Sequence, residues 1–505
     1  AILAQDVVDR LSLTPRQLPS AMATDVSGMS ASRSEKGNLT CSELAELELY
    51  AYLNGIMQKE VSAETCRPTH VPLSLRPSPF PKAKYEWARD VICPLMLRLI
   101  DAAARDTEWL RQVVQPAAEA EQRAGEQRLA RMLALLAVSR QQMMLGIFRS
   151  DYMLNSSDGK LLQVETNTIS AAFSAVAPKV QRLHRHALSR AGLSPEAVPV
   201  MESGDGLVDA IALAHRHMAP TYAGSRTCVL FVVLEEEHLL CESLLEQGVL
   251  ERHNIPIEVL TMQGCAARLS LGSGADPPPL LLDGEITITV VYFRGGITPQ
   301  CFGTSQRWAA RELIERSGAV KSPSAGWWLA GTKVVQAALA TRAAVMRFLP
   351  DVTAEQQEQL LSSLTPISPV GTTAAEAEAL AHPSKFILKK EPLGVWVDEE
   401  LVAKLQALQQ HPAAPLCDHL IMEKILPAAV EDVCFIRQGQ LVHTGPGLQE
   451  LGLYGTFLGD GTNPCLLSRC VGYLVRTKPS DEADGGVCKG VAVLDSLCLV
   501  EDERT

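Results

Sequence analysis

The spacing of apolar residues predicts helices in the first third of the chain. Apolar residues recur at helical intervals over 43–57 and over 85–145, where we expect long amphipathic helices interrupted near Pro116. The first forty residues are rich in Ser, Thr and Pro, which is typical of a loosely held arm. We therefore predict a mainly helical region before residue 145.

The pattern changes from helical to strand-like spacing at about residue 148. Residues 152–154 and 161–165 flank a short Ser-Ser-Asp-Gly turn and predict a hairpin, followed by a helix over 170–191. Short, β-branched apolar runs over 228–234, 255–260 and 286–293 predict buried strands, with a helix over 239–252. This order indicates a parallel α/β unit of about a hundred residues.

The last third of the chain mixes helices and strands. We predict helices over 331–348 and 400–410, and strands over 386–389, 419–425 and 472–476. Three units are expected on length alone, because 505 residues exceed the ~100–200 typical of one domain.

Charge and cysteine content narrow the class of protein. The chain has 46 basic and 58 acidic residues, a net charge of −12, which argues against a dedicated nucleic-acid binder. Its 13 cysteines form no C-x-x-C pair and predict reduced thiols in an intracellular compartment. Residues 1–13 carry charges where a signal peptide is apolar, and no stretch reaches the ~20 apolar residues of a membrane span. We expect a soluble, cytoplasmic protein.

Charged residues follow several of the predicted strands. Ligands collect at the carboxyl ends of strands in α/β sheets, so these charges indicate a binding cleft. Glu165 with Asn167, and Arg476 with Lys478, are two residues apart and would share a face of a strand. Carboxylate and amide oxygens suit Mg²⁺, and separated cations suit a polyphosphate. Taken singly, each charge is more often a solvated boundary residue. The charges concerned are Glu165, Arg294, Lys389, Glu423, Lys424, Arg476 and Lys478.

A series of motifs runs from about residue 140 to the end of the chain. They are Arg149-Ser-Asp-Tyr-Met153, Gln163-Val-Glu-Thr-Asn-Thr-Ile-Ser170, Val291-Tyr-Phe-Arg294, Ala330-Gly-Thr-Lys333, Met422-Glu-Lys-Ile425, Glu450-Leu-Gly452, Arg476-Thr-Lys478, Ala483-Asp-Gly-Gly-Val487 and Gly490-Val-Ala-Val-Leu-Asp495. In these motifs and their order the chain resembles eukaryotic-type glutathione synthetase, a family of the ATP-grasp superfamily.

The resemblance implies an α/β (α+β) architecture and a division of the chain. It implies an ATP-grasp fold with an inserted parallel α/β substrate-binding domain and an N-terminal helical region. Residues 1–225 would hold the helical region and the first part of the core, 226–330 the substrate-binding domain, and 331–505 the rest of the core with the lid region. A homodimer is also implied.

The resemblance implies ATP-dependent ligation of γ-glutamylcysteine to glycine through an acyl phosphate. Arg476 would be the catalytic residue facing the reacting carboxylate, and Glu165 and Asn167 would hold Mg²⁺. Contacts to ATP are implied for Glu165, Lys333, Lys389, Met422, Glu423, Lys424, Ile425, Glu450, Lys478 and Asp484. Contacts to the peptide are implied for Arg149, Ile169, Ser170, Ala171, Ala172, Glu237, Arg294, Val487 and Cys488.

The chain departs from the family pattern in two places. The family has a Gly-rich lid with a further Mg²⁺-binding Glu after the Lys389 strand, whereas Lys389 is followed here by Lys390-Glu-Pro-Leu-Gly394. In the peptide pocket, Leu239, Ser243, Ile297 and Ala172 stand where the family has Asn, Gln, Tyr and Ser. Two alternatives therefore stay open, a related ligase with another amine acceptor and an inactive nucleotide-binding protein.

Overall fold

The computed structural model describes most of the chain from residue 41 onward. It covers 41–501 except 62–65, 124, 236–238, 297–298, 372, 392–393, 411–417, 463–464 and 483–484. The predictions for the first forty residues, Glu237, Ile297 and Asp484 concern residues outside these ranges.

Helices occur along the whole of the described chain. They are α1 (Cys41–Leu53), α2 (Lys82–Trp87), α3 (Cys93–Arg105), α4 (Thr107–Arg123), α5 (Arg128–Val138), α6 (Ala177–Arg190), α7 (Ser203–Met218), α8 (Ser243–His253), α9 (Met262–Arg268), α10 (Ser305–Arg316), α11 (Ala325–Ala330), α12 (Lys333–Leu339), α13 (Arg342–Phe348), α14 (Ala354–Ser363), α15 (Thr373–Ala381) and α16 (Asp398–Gln409).

The strands alternate with these helices along the chain. They are β1 (Met57–Val61), β2 (Cys66–His70), β3 (Leu73–Ser74), β4 (Ser78–Pro81), β5 (Met144–Leu154), β6 (Leu161–Asn167), β7 (Thr227–Val233), β8 (Ile257–Thr261), β9 (Leu269–Leu271), β10 (Leu280–Leu282), β11 (Ile286–Phe293), β12 (Val320–Ser322), β13 (Ile367–Pro369), β14 (Phe386–Lys390), β15 (Val395–Val397), β16 (His419–Glu423), β17 (Val430–Arg437), β18 (Gln440–Gly459), β19 (Leu467–Pro479), β20 (Val493–Asp495) and β21 (Leu497–Val500).

The largest sheet joins segments that are far apart in sequence. Its seven strands run in the order β17-β3-β20-β19-β18-β5-β6, and β5, β6, β18 and β19 pair antiparallel. Alternate residues of β18 enter two different cores, with Leu453 and Phe457 in one and Tyr454 and Leu458 in the other. Both faces are thus covered over much of the sheet. The predicted hairpin of β5 and β6 is confirmed.

The second sheet is the predicted parallel α/β unit. Strand β7 pairs parallel with both β8 and β11, and β12 pairs parallel with β11. Strands β9 and β10 extend the sheet antiparallel beside β11, which was not predicted. All six strands of this sheet come from residues 227–322.

The third sheet has four antiparallel strands in the order β13-β16-β14-β15. Only four residues, 391–394, separate β14 from its antiparallel neighbour β15 at the place where the family has its Gly-rich lid, and the Lys390 amide donates to the Gly394 carbonyl at 2.9 Å. Gly394 has φ +144°, and a Cβ there would come within 2.8 Å of the Trp396 ring. The backbone conformation of Gly394 and the nearby ring therefore require glycine at this position.

One prediction about the helical region is wrong. Pro116 does not interrupt a helix but lies inside α4, and α4 is bounded by Asp106 before it and by residues 125–127 after it. Proline removes one backbone hydrogen bond. The buried residues Leu110, Val114 and Ala117 keep the helix packed on both sides of that gap.

No described helix is long and apolar enough to cross a membrane.

Candidate functional site

A charged cluster lies on one face of the seven-stranded sheet. Strand pairing places Arg149 opposite Asn167, Asp151 opposite Glu165, and Glu450 opposite Arg476. Directly paired residues of antiparallel strands project to the same face. On β5 this face is apolar at Leu145 and Ile147 and becomes charged at Arg149.

Asp151 lies at the centre of the cluster and is fully buried. Arg149 donates to both of its oxygens, from Nε at 2.7 Å and Nη2 at 2.8 Å. Arg476 Nη2 and Asn167 Nδ2 donate to Oδ2 at 3.0 and 3.1 Å. One carboxylate therefore holds two arginines, one predicted for the peptide site and one predicted to be catalytic.

The predicted metal ligands Glu165 and Asn167 lie side by side on β6. Asn167 Nδ2 donates to Glu165 Oε1 at 3.3 Å, which confirms that the two side chains share a face. Burial raises the pKa of Glu165, but Lys333, Lys389 and nearby arginines outweigh it and lower the pKa to about 2. Glu165 is therefore ionised at neutral pH.

Lys389 connects the small sheet to the large one. Its Nζ donates to the Val164 carbonyl of β6 at 2.8 Å, and the side chain is almost fully buried. Burial lowers the pKa of Lys389, and the Glu165 carboxylate partly offsets this. Two lysines from different elements, Lys333 at the start of α12 and Lys389 on β14, thus act electrostatically on one carboxylate.

Glu450 and Arg476 form an ion pair in the same cluster. Burial raises the pKa of Glu450, although Arg476 opposes the shift. Burial also disfavours the charge on Arg476, but Glu450 and Asp151 outweigh it and raise the pKa of Arg476. Arg476 is positioned by two carboxylates and can bind a further anion beside them.

A second charged group lies in the α/β unit. Arg294 follows β11, is about 95% buried, and donates to Glu246 of α8 at 2.7 Å. Its carbonyl accepts a hydrogen bond from the Ser170 hydroxyl, so the predicted peptide-site residues Ser170 and Arg294 are in contact. Ser170 and Phe173 have φ of 51° and 71°, a strained conformation that is concentrated at functional sites.

The other described residues predicted for the peptide site differ in their burial. Ala171 is buried, the carbonyl of Ala172 accepts from the Tyr454 hydroxyl at 2.6 Å, and Ile169 packs partly buried between two cores. Val487 is buried in the core, whereas Cys488 beside it is exposed.

The predicted nucleotide residues are divided between the two sheets. Met422 is buried on β16 opposite Ile387, on the same face of the small sheet as Lys389. Glu423 is exposed, and Lys424 contacts Asp398 at 3.7 Å. Neither residue forms a hydrogen bond or ion pair with the charged cluster in the described structure. Ile425 is half-buried. Lys478 lies two residues after Arg476 on β19 and faces the same way.

Several residues of the site were missed from sequence. Asp151 belongs to a quoted motif but was given no role, and Glu246 has no motif to mark it. Glu391 stands in the region of the missing lid, but its carboxylate is buried and accepts from Arg128 Nη2 at 3.0 Å and the Lys333 amide at 2.8 Å. Only tertiary contacts reveal these partners. The Asp151 position could have been found by its spacing of two from Arg149.

The donor atoms at Glu165 and Asn167 fit Mg²⁺ in kind. Glu165 is an ionised carboxylate, and the Asn167 amide uses its nitrogen towards Asp151 and Glu165, which leaves its oxygen to a metal. The described residues contain no group of three His, Cys, Asp or Glu side chains that could hold a metal ion. Any such ion would depend on substrate phosphates and water for its other ligands.

The fold and the charged cluster, to which both the large and the small sheet contribute cations, together define an ATP-grasp type of protein. A family model described as "Eukaryotic glutathione synthase, ATP binding domain" matches residues 40–499. The chain belongs to this family.

Individual relatives agree with this assignment. The chain is 30% identical over 445 residues to the chloroplastic glutathione synthetase of Solanum lycopersicum, covering 85% of this chain and 78% of that protein. It is 32% identical over 451 residues to the glutathione synthetase of Homo sapiens, covering 87% and 92%. The structure of a glutathione synthetase-like effector from Globodera pallida, in its apo form, aligns with TM-score 0.73 and 22% identity over 91% of this chain and 97% of that one, which shows a shared fold.

Proposed function

We propose that this protein is a glutathione synthetase that uses ATP to join γ-glutamylcysteine to glycine. Family membership over residues 40–499 carries the proposal. The charged cluster supports it, because Arg149, Lys333, Lys389 and Arg476 offset the carboxylates of Asp151, Glu165 and Glu450 and leave capacity for a bound anion.

The reaction would proceed in two transfers. The cysteinyl carboxylate attacks the γ-phosphorus of ATP to give an acyl phosphate and ADP. The glycine amine then attacks the acyl carbon, phosphate leaves, and the amine proton is released. Arg476 would bind the reacting carboxylate and the transferring phosphoryl group, and Lys333 and Lys389 the phosphates. The residues act by positioning and charge neutralisation, without a protein nucleophile.

Mg²⁺ would be held by Glu165 and Asn167 and would neutralise phosphate charge. The other contacts are proposed from the resemblance to the family. Met422, Glu423, Lys424, Ile425, Glu450, Lys478 and Asp484 would contact ATP. Arg149, Ile169, Ser170, Ala171, Ala172, Glu237, Arg294, Val487 and Cys488 would line the peptide site.

The experiment is an ADP-release assay with and without each substrate. We expect release that depends on both γ-glutamylcysteine and glycine, and its loss in Arg476→Ala. Arg469→Ala, an exposed arginine of the same strand β19, is the matched control and should keep full activity. Normal turnover in a folded Arg476→Ala variant would reject the role given to Arg476.

The short connection between β14 and β15, four residues in the sequence, favours a second candidate, a nucleotide-binding protein without ligase activity. Only the four residues 391–394 connect the two strands, and a lid over the cleft would protect an acyl phosphate from water. This candidate predicts stabilisation by nucleotide but no ADP with any substrate pair. A panel including β-alanine and serine tests a different amine acceptor in the same assay.

The proposal extends to location and assembly. Ten described cysteines carry free thiols, which supports a reducing compartment such as the cytoplasm.

We also propose a homodimer, with the interface in the helical region before residue 145. Sedimentation of the purified chain at micromolar concentration should give twice the 54.6 kDa monomer mass.

The domain division 1–225, 226–330 and 331–505 is likewise a proposal. It is supported by the six-stranded sheet, which uses no strand outside residues 227–322.

A further inference from the structure

Strand β6, which carries Glu165 and Asn167, is the last strand of the large sheet. In the described structure it pairs only with β5, where Ser150 lies opposite Thr166. The backbone groups on its outer edge therefore have no strand to bind. Such groups need another partner when they are shielded from water, and Thr166 is about 98% buried.

The side chain of Gln336, on α12, supplies that partner. The Thr166 amide donates to Gln336 Oε1 at 3.0 Å, and Gln336 Nε2 donates back to the Thr166 carbonyl at 3.1 Å. The same Nε2 donates to the Gly331 carbonyl at 2.8 Å, at the end of α11. A primary amide accepts through its oxygen and donates through its nitrogen, as a backbone peptide group does, so Gln336 bonds to β6 as one residue of a further strand would.

These contacts connect the two groups of residues predicted to bind Mg-ATP. Thr166 lies between Glu165 and Asn167, whose side chains project to the opposite face of β6. Lys333 is three residues before Gln336 on α12, one helical turn away. A shift of α12 along β6 would therefore change the distance between Lys333 and Glu165.

We propose that Gln336 is a positioning residue, which sets Glu165 and Asn167 relative to Lys333 and so determines affinity for a divalent cation with a nucleoside triphosphate. This inference rests on the proposed function for the identity of the ligand. The hydrogen-bond connection between α12 and β6 does not depend on it.

The test compares Gln336→Met with Gln181→Met. Gln181 is a fully buried glutamine, whereas Gln336 is half-buried, and it also bonds to two backbone groups, the Met201 amide at 2.9 Å and the Tyr473 carbonyl at 3.1 Å. Each variant is titrated with Mg²⁺ at a fixed concentration of a non-hydrolysable ATP analogue, with binding followed by calorimetry. We expect the half-saturating Mg²⁺ concentration to rise at least about tenfold in Gln336→Met and to stay unchanged in Gln181→Met, since residues that orient metal ligands typically have effects of this size.

Hydrogen exchange of the peptide containing Thr166, without nucleotide, is the second readout. The Thr166 amide should exchange faster in Gln336→Met than in the wild type. Faster exchange with unchanged Mg²⁺ dependence would overturn the positioning role, and unchanged exchange would overturn the contact itself. If the wild type binds no Mg-ATP at all, the proposed function fails, and the exchange result alone then decides whether the α12–β6 connection exists.

Gln336→Glu replaces Gln336→Met in both measurements if the Met variant does not fold. It keeps the acceptor for the Thr166 amide and loses both donated bonds, so the same two readouts should change by a smaller factor. Wild-type values for both readouts in that folded variant would also overturn the proposal.

Discussion

At the scale of single residues, the site depends on one buried carboxylate. Asp151 accepts four hydrogen bonds, from Arg149, Arg476 and Asn167. Buried arginines need a counter-charge, because their desolvation is not otherwise compensated. Asp151 therefore fixes the orientation of both guanidinium groups before any substrate arrives.

We predict that Asp151→Asn impairs binding and turnover together. Arg149, which is buried, and Arg476, which is half-buried, would lose an anionic partner, so the free energy of unfolding should fall by about 3 kcal/mol. In the ADP assay, KM for γ-glutamylcysteine should rise and kcat should fall, each at least about tenfold. Asp158→Asn, in the exposed turn of the same hairpin, should change neither. A folded Asp151→Asn variant with wild-type KM and kcat would contradict this account.

At the scale of elements, a buried ionic network holds the last turn of α10 against β12. Arg311 Nη1 donates to Glu315 at 2.6 Å, and Lys321 Nζ donates to the Ser317 carbonyl at 2.6 Å. All three charged side chains are nearly inaccessible to water. Burial lowers the pKa of Lys321 to about 8, although Glu315 opposes the shift.

This pKa gives a prediction for stability at alkaline pH. Between the folded pKa of about 8 and the ordinary value of 10.5, the unfolded chain binds a proton at Lys321 that the folded chain has released. Folding stability from this group therefore rises with pH across that window, by up to about 3 kcal/mol. Urea unfolding from pH 7 to 10.5 should show this gain in the wild type relative to Lys321→Met. Lys160→Met, at an exposed turn, should follow the wild type. Parallel curves for the wild type and Lys321→Met would exclude the effect.

At the scale of the whole molecule, ligand binding should couple two sheets. Lys389 on the small sheet already bonds to the Val164 carbonyl of the large sheet. A nucleotide between Lys389, Lys333 and Arg476 would add further contacts from both sides. A ligand that binds only the folded state stabilises it by mass action.

We predict that Mg-ATP raises the melting temperature through Lys389. At a hundredfold excess over Kd, the wild type should gain about 2.7 kcal/mol. Lys389→Met should lose most of this gain because a phosphate-binding cation is removed. Lys390→Met is the matched control, since the neighbouring lysine is partly exposed beside Asp418 and points to the other face of β14. Equal thermal shifts in the two variants would show that Lys389 does not contact the nucleotide.

The sequence by itself determined the local elements of this protein. A short turn between two strand-like runs located the β5–β6 hairpin, and short apolar runs located the parallel strands β7, β8 and β11 and strand β14, because a strand buried on both faces needs apolar residues throughout. The motifs determined the family, because they preserve the residues around a shared chemistry. The pairs Glu165–Asn167 and Arg476–Lys478 were found because residues two apart on a strand share a face.

Only the tertiary structure decided which side chains meet. Asp151, Glu246 and Gln336 obtained their roles from partners 16 to 325 residues away or on another element. Pro116 was misjudged because packing on both sides of it outweighs the single hydrogen bond that proline removes. Such contacts depend on how sheets and helices pack, and a pattern of spacing along one segment holds no information about the segment that will lie against it.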